Sequence, residues 1–194
     1  LAKKWTNDKH AAFFAAICYS SCGVFVGNAE HLTILVSAAW LPWLFWSYYQ
    51  MTTKTEMKYA AAIALILYMM ATGGYPGILI ITLYALLILF IALLFNREYI
   101  LKIAPQLKLH ILLVVLCTGC FSIIFYTFTK GLNESTRGSG VTLDQALFYP
   151  FSPACFSSFI LPFASFKNYE LTKVDVSMTN GYFGLIGLSM LLLN

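Results

Sequence analysis

From Tyr59 to Asn96 the chain runs 38 residues without an Asp, Glu, Lys or Arg. As one helix this stretch would be about 57 Å long, almost twice the roughly 30 Å hydrocarbon core of a bilayer. Its middle reads Gly73-Gly74-Tyr75-Pro76-Gly77, a turn signal that divides it into two helices. Five more windows carry no charge: Ala11–Ala29, Leu32–Thr53, Ile111–Thr129, Gln145–Phe166 and Val176–Asn194. Only 10% of the residues are charged and 60% are hydrophobic, whereas a soluble domain carries about 25% charged residues. So few charges cannot coat a globule in water. The 16 Phe, 12 Tyr and 4 Trp exclude a disordered chain as well. The expected class is an all-α polytopic membrane protein, a bundle of transmembrane helices.

Gln145–Phe166 holds Pro150, Pro153 and Pro162. Proline removes a backbone donor and clashes with the preceding turn, so a continuous span is not expected there. The stretch reads instead as re-entrant or interfacial, where irregular backbone lines a protein cavity. The remaining windows predict one transmembrane domain with six spans, near 11–28, 32–50, 59–73, 77–95, 110–130 and 181–194. Segment 131–180 is expected to be external. The last window stops at Asn194 and the first residue is Leu1 rather than Met, so the chain reads as an internal fragment.

Orientation follows from the cations. With the amino-terminal end cytoplasmic, the inner segments hold Lys3, Lys4, Lys9, Lys54, Lys58, Arg97, Lys102 and Lys108. The short outer loops, 28–31 and 73–77, hold no Lys or Arg. The inner stretches 50–58 and 96–110 read as solvated anchors facing an anionic leaflet, which accounts for the net charge of +4. No pattern suggests nucleic acid. Nor is there a Walker loop, a GxSxG elbow, an HExxH or a dinucleotide fingerprint.

Chemistry-bearing residues are sparse. Glu30 and His31 stand between two apolar windows without a neighbouring cation. One reading makes Asn28 a helix N-cap with Glu30 in the first turn, facing the positive helix end. The other treats ionisable groups at a membrane boundary as the mark of a polar cavity, able to hold a divalent metal, an acceptor hydroxyl or a phosphate. Cys117-Thr118-Gly119-Cys120 has redox or metal spacing but lies mid-span with no second CxxC, so close helix packing explains it better. Trp40, Trp43, Trp46, Tyr48 and Tyr49 read partly as an interfacial belt.

The run Cys22-Gly23-Val24-Phe25-Val26-Gly27-Asn28-Ala29-Glu30-His31-Leu32, followed by Ala38-Ala39-Trp40-Leu41-Pro42, resembles the YfhO family of bacterial membrane proteins. Thr72-Gly73-Gly74-Tyr75-Pro76 is similar to that family's second recurring turn. Ser158–Phe163 and Asp175–Gly184 are similar to its long external loop and following span. The resemblance implies a glycosyltransferase of the GT-C architecture in a bacterial inner membrane. It would use a polyprenyl-phosphate-linked sugar donor and an envelope polymer or lipid as acceptor. The usual catalytic carboxylate lies in the first external loop, which this fragment is expected to follow, so the catalytic residue stays unknown. Sugar transfer passes through an oxocarbenium-like state and leaves a phosphate that needs cationic help. His31, Arg137, Lys167 and Lys173 are the candidates for that help. Glu30 and Asp175 are candidate acceptor or metal contacts, Gly73-Gly74 a close backbone approach with Tyr75 stacking, and Asn180 a further binding residue. A lipid or polysaccharide transporter, or a non-catalytic scaffold subunit, is the competing class.

Overall fold

The computed structural model describes residues 2–3, 7–96, 100–101, 103–132, 142–143 and 153–161. Among them every regular element is helical. Helix α1 is Lys9–Ser20, opened by Asp8, whose carboxylate accepts from the His10 N–H at 2.8 Å. After an interruption at Ser21 and Cys22 the chain resumes as α2, Gly23–Gly27. Then follow α3, Leu32–Lys54, α4, Met57–Gly73, α5, Pro76–Leu94, and α6, Ile103–Leu132. A short 3₁₀ helix covers Pro153–Phe159.

Among the described residues three stretches are long and apolar enough to cross a membrane: Lys9–Gly27, Pro76–Leu94 and Ile103–Gly131. Met57–Gly73 is apolar but has only 17 residues. Leu32–Lys54 is long enough at 23 residues, yet its Trp, Tyr, Ser and Pro residues dilute its apolarity. It is not among the three. The expected span 181–194 lies outside the described residues, as does most of 145–166.

The turn expected at 73–77 is where the chain turns. Helix α4 ends at Gly73, and Pro76 opens α5 in a first-turn position, where its missing N–H costs nothing. The stretch 96–110, expected to be a solvated anchor, differs. From Ile103 onward it is already helix, so α6 has 30 residues and a length of about 45 Å. Pro105 sits in the first turn of α6, where proline is tolerated.

The chain divides into two compact units, one of Leu1–Leu35 with Thr136–Asn194 and the other Val36–Ser135. In the first, α1 has no buried residue and Phe13 and Ile17 are exposed. In the second, the core is built on α4. Tyr59, Ala60, Ile63, Ala64, Ile66, Leu67 and Met70 are buried against Leu44, Tyr48 and Met51 of α3, Leu86 of α5, and Leu109 and Leu113 of α6. Ala60 and Ala64, four residues apart, let a neighbouring backbone approach closely, which favours helix packing in lipid. By contrast α5 buries only Thr82 and Leu86, leaving Ile80, Ile81, Tyr84 and Ile88 exposed. Between α3 and α4, Thr55 adopts φ +55°, a left-handed conformation that a β-branched residue rarely takes.

Candidate functional site

In the first unit, Asn28 is buried and its side-chain amide donates to the Val24 carbonyl at 3.1 Å. It therefore closes the carboxyl end of α2 rather than capping the start of the next helix, which corrects the N-cap expectation. The N-cap position belongs to His31, whose carbonyl accepts from Ile34 and Leu35 at 2.9 and 3.3 Å. Glu30 precedes that cap, so the first turn of α3 holds no acid. Its carboxylate is 76% exposed and lies 3.8 Å from His31 Nε2, beyond hydrogen-bond length. The His31 ring is 40% exposed, yet its Nε2 is shielded from solvent and has no hydrogen-bond partner among the described residues.

In the second unit, the turn Gly73-Gly74-Tyr75 is fixed by Ser37. The Ser37 hydroxyl is fully buried and accepts from the Tyr75 N–H at 2.7 Å. A Cβ on Gly74 would overlap that hydroxyl and the Met70 carbonyl, so this position requires glycine. The close approach anticipated at Gly74 is thus to the protein's own α3. The Tyr75 ring folds over Gly77, where any side chain would collide with it. Arg137, Lys167, Asp175 and Asn180, the other expected binding residues, lie outside the described residues, as does Lys173.

A second polar cluster was not singled out from the sequence. His110 Nδ1 is 2.8 Å from the Gln106 carbonyl, which can only accept, so Nδ1 carries the proton. Nε2 is then an acceptor, and Tyr48 O–H donates to it at 3.1 Å. The Phe90 ring packs on the imidazole at 4.5 Å. One turn earlier, Gln106 Nε2 donates to the Thr52 carbonyl at 2.6 Å, closing the carboxyl end of α3, while its buried Oε1 has no donor among the described residues. The available signal was Gln106 and His110 four residues apart, on one face of a helix once 103–110 is helical.

The Gln106–Thr52 bond sets the start of α6 beside the end of α3 and the start of α4. Lys54, Lys58 and Lys108, all exposed, therefore share one end of this unit. Lys58 pairs with Glu56, and this contact, the largest influence on the group, holds the carboxyl below the usual carboxylate range. Adjacent to the Tyr48–His110 pair is a cleft of about 780 Å³, lined chiefly by Leu83, Leu87 and Phe90 of α5 and Leu113, Val114 and Phe121 of α6. Tyr48 and His110 also line it. Of its three wall hydroxyls, that of Tyr48 is bonded to His110, and those of Thr118 and Ser122 are spent on the α6 carbonyls of Val114 and Gly119 at 2.8 and 2.7 Å.

Cys18, Cys22, Cys117 and Cys120 are unpaired thiols. Among the described residues no three His, Cys, Asp or Glu side chains converge as a metal site. Comparison with family models, curated proteins and solved structures finds no match to this chain.

Proposed function

We propose that this chain is an integral membrane protein forming part of a polyprenyl-phosphate-sugar-dependent glycosyltransferase that modifies a cell-envelope polymer or lipid. The membrane part of the reading is supported by three helices of spanning length and apolarity, with large hydrophobic side chains exposed along them. The transferase part rests on the resemblance carried by 22–42, 72–76, 158–163 and 175–184.

The single observation that favours chemistry at Glu30 and His31 is that neither side chain is spent on capping. Asn28 closes α2, and the α3 cap is made by the His31 backbone. The Glu30 carboxylate thus remains available to accept from an acceptor hydroxyl. His31 Nε2 has no hydrogen-bond partner among the described residues, and a rotation of its 40% exposed ring brings it to a donor phosphate. In this reading Arg137 and Lys167 share the phosphate, Asp175 and Asn180 contact the acceptor, and the catalytic carboxylate comes from outside this sequence.

The test is substitution in the full-length protein. Glu30→Gln and His31→Ala are assayed for sugar transfer to an envelope acceptor, with membrane insertion as control. A loss of transfer in correctly inserted variants is expected. Transfer at the parent rate in both would remove these residues from the site, and the absence of any transfer by the parent would favour a transporter or scaffold.

A further inference from the structure

We infer that the cleft between α5 and α6 holds one acyl chain of an anionic phospholipid, whose phosphate lies at the Lys54, Lys58 and Lys108 end of the unit. A volume of about 780 Å³ is within the usual range of small-molecule sites, roughly 300–1,000 Å³. The walls offer no unspent hydroxyl, because Thr118 and Ser122 bond their own helix and Tyr48 bonds His110. A polar ligand would lose its hydration there without compensation, whereas a hydrocarbon chain loses nothing. From His110 to Phe125 the lining follows about 22 Å of α6, an elongated site suited to a chain.

The imidazole and three lysines lie toward one end. The Tyr48–His110 pair lines the cleft. The Gln106–Thr52 bond puts that end of α6 at the level of the end of α3 and the start of α4, where Lys54 and Lys58 lie over the Tyr59 ring. Among the described residues Glu56 is the acid placed there, and it is paired with Lys58. Among the described residues the balance at this end is cationic, with Lys54 and Lys108 in excess of the Glu56–Lys58 pair, and it is complementary to a phosphate whose acyl chain enters alongside. Basic pockets between membrane helices bind anionic headgroups by this combination. The site is at the opposite end of α4 from the Gly73–Tyr75 turn. It is independent of the transferase reading, and its test needs no sugar transfer.

Full-length protein is reconstituted in vesicles doped with either phosphatidylglycerol or phosphatidylcholine, each carrying a photoreactive group near the end of one acyl chain. Labelled residues are located by mass spectrometry. Labelling concentrated on Leu83–Phe90 and Val114–Phe125 is expected, with phosphatidylglycerol favoured by about fivefold for each contributing lysine. The combined Lys54→Gln, Lys58→Gln and Lys108→Gln variant should lose that preference. Val114→Trp, which fills the cleft, should lose the labelling itself, and Leu87→Trp serves if that variant does not fold. Equal labelling by the two lipids, or label spread evenly over the exposed faces of α5 and α6, would overturn the assignment. So would a cross-link from a cysteine at position 114 to residues 133–194 or to a second copy of the chain, since either would then be the occupant.

Discussion

Tyr48 O–H donates to His110 Nε2 at 3.1 Å, joining two helices across 62 positions of sequence. This bond, together with the Gln106 carbonyl at Nδ1, selects the Nδ1–H tautomer of the neutral imidazole. Tyr48→Phe keeps the ring but leaves Nε2 without its donor. The expected cost is about 1 kcal/mol, as for hydrogen bonds between helices in membranes. His110→Ala should cost more, because the Phe90 contact goes as well. Thermal or denaturant unfolding in detergent measures both.

Gly74→Ala should destabilise by about 2 kcal/mol, because its Cβ meets the Ser37 hydroxyl and the Met70 carbonyl with no flexible group to yield. Gly119→Ala is the control. Nothing lies within 4 Å of a Cβ there, and alanine is the better helix former by about 1 kcal/mol. The same unfolding measurement should therefore move in opposite directions for the two glycines.

Thr55→Gly should stabilise. At φ +55° threonine carries a steric cost that glycine does not, and the Thr55 N–H bond to the Met51 carbonyl at 3.1 Å is kept. A gain of about 1 kcal/mol is expected, reduced by the greater entropy of glycine in the unfolded chain. A lower melting temperature would show that this turn is held by the threonine side chain.

The Glu56–Lys58 pair gives a pH signature with a definite sign. Lys58 holds the Glu56 carboxyl below its ordinary value, so the pair's contribution is fully present above the normal carboxylate range. It is lost as the pH falls through the lowered value. The stability difference between parent and Glu56→Gln should therefore shrink on acidification and also on adding salt, which screens exposed pairs. A difference that grows on acidification would reverse the assignment.

The charge pattern predicts that Glu30 and Lys54 face opposite sides of the membrane. In a cysteine-free background, Glu30→Cys should react with an impermeant thiol reagent added from outside and Lys54→Cys should not. The reverse result would invert the topology.

The helical class and the 73–77 turn were legible because both rest on local signals: charge-free length, and glycine followed by proline. Asn28 was misread because an asparagine between two helices can close the first or cap the second, and only the Val24 contact separates these. The stretch 103–110 was misread because Lys102, Pro105 and Lys108 look like loop, although a first helical turn accepts proline and an exposed face accepts lysine. The His110 partnership was invisible for a different reason. Its partner Tyr48 lies on another helix, and in sequence both residues look like membrane-boundary decoration. The cleft has no sequence signature, since the leucines that line it have the same composition as those facing outward.

Helix α4 has a consequence for membrane thickness. Its 17 residues reach about 26 Å, some 4 Å less than a typical hydrocarbon core. Set in a bilayer, this short helix draws the turn that follows it below the level of the headgroups, where an unmatched peptide donor costs several kcal/mol. The two donors that precede the proline are matched at that bend. Gly74 N–H bonds the Met70 carbonyl, Tyr75 N–H bonds Ser37, and Pro76 has no N–H to satisfy. With two donors matched and a proline in the third position, the recessed bend carries less bare backbone into oil, which lowers what dimpling the membrane surface at this point costs.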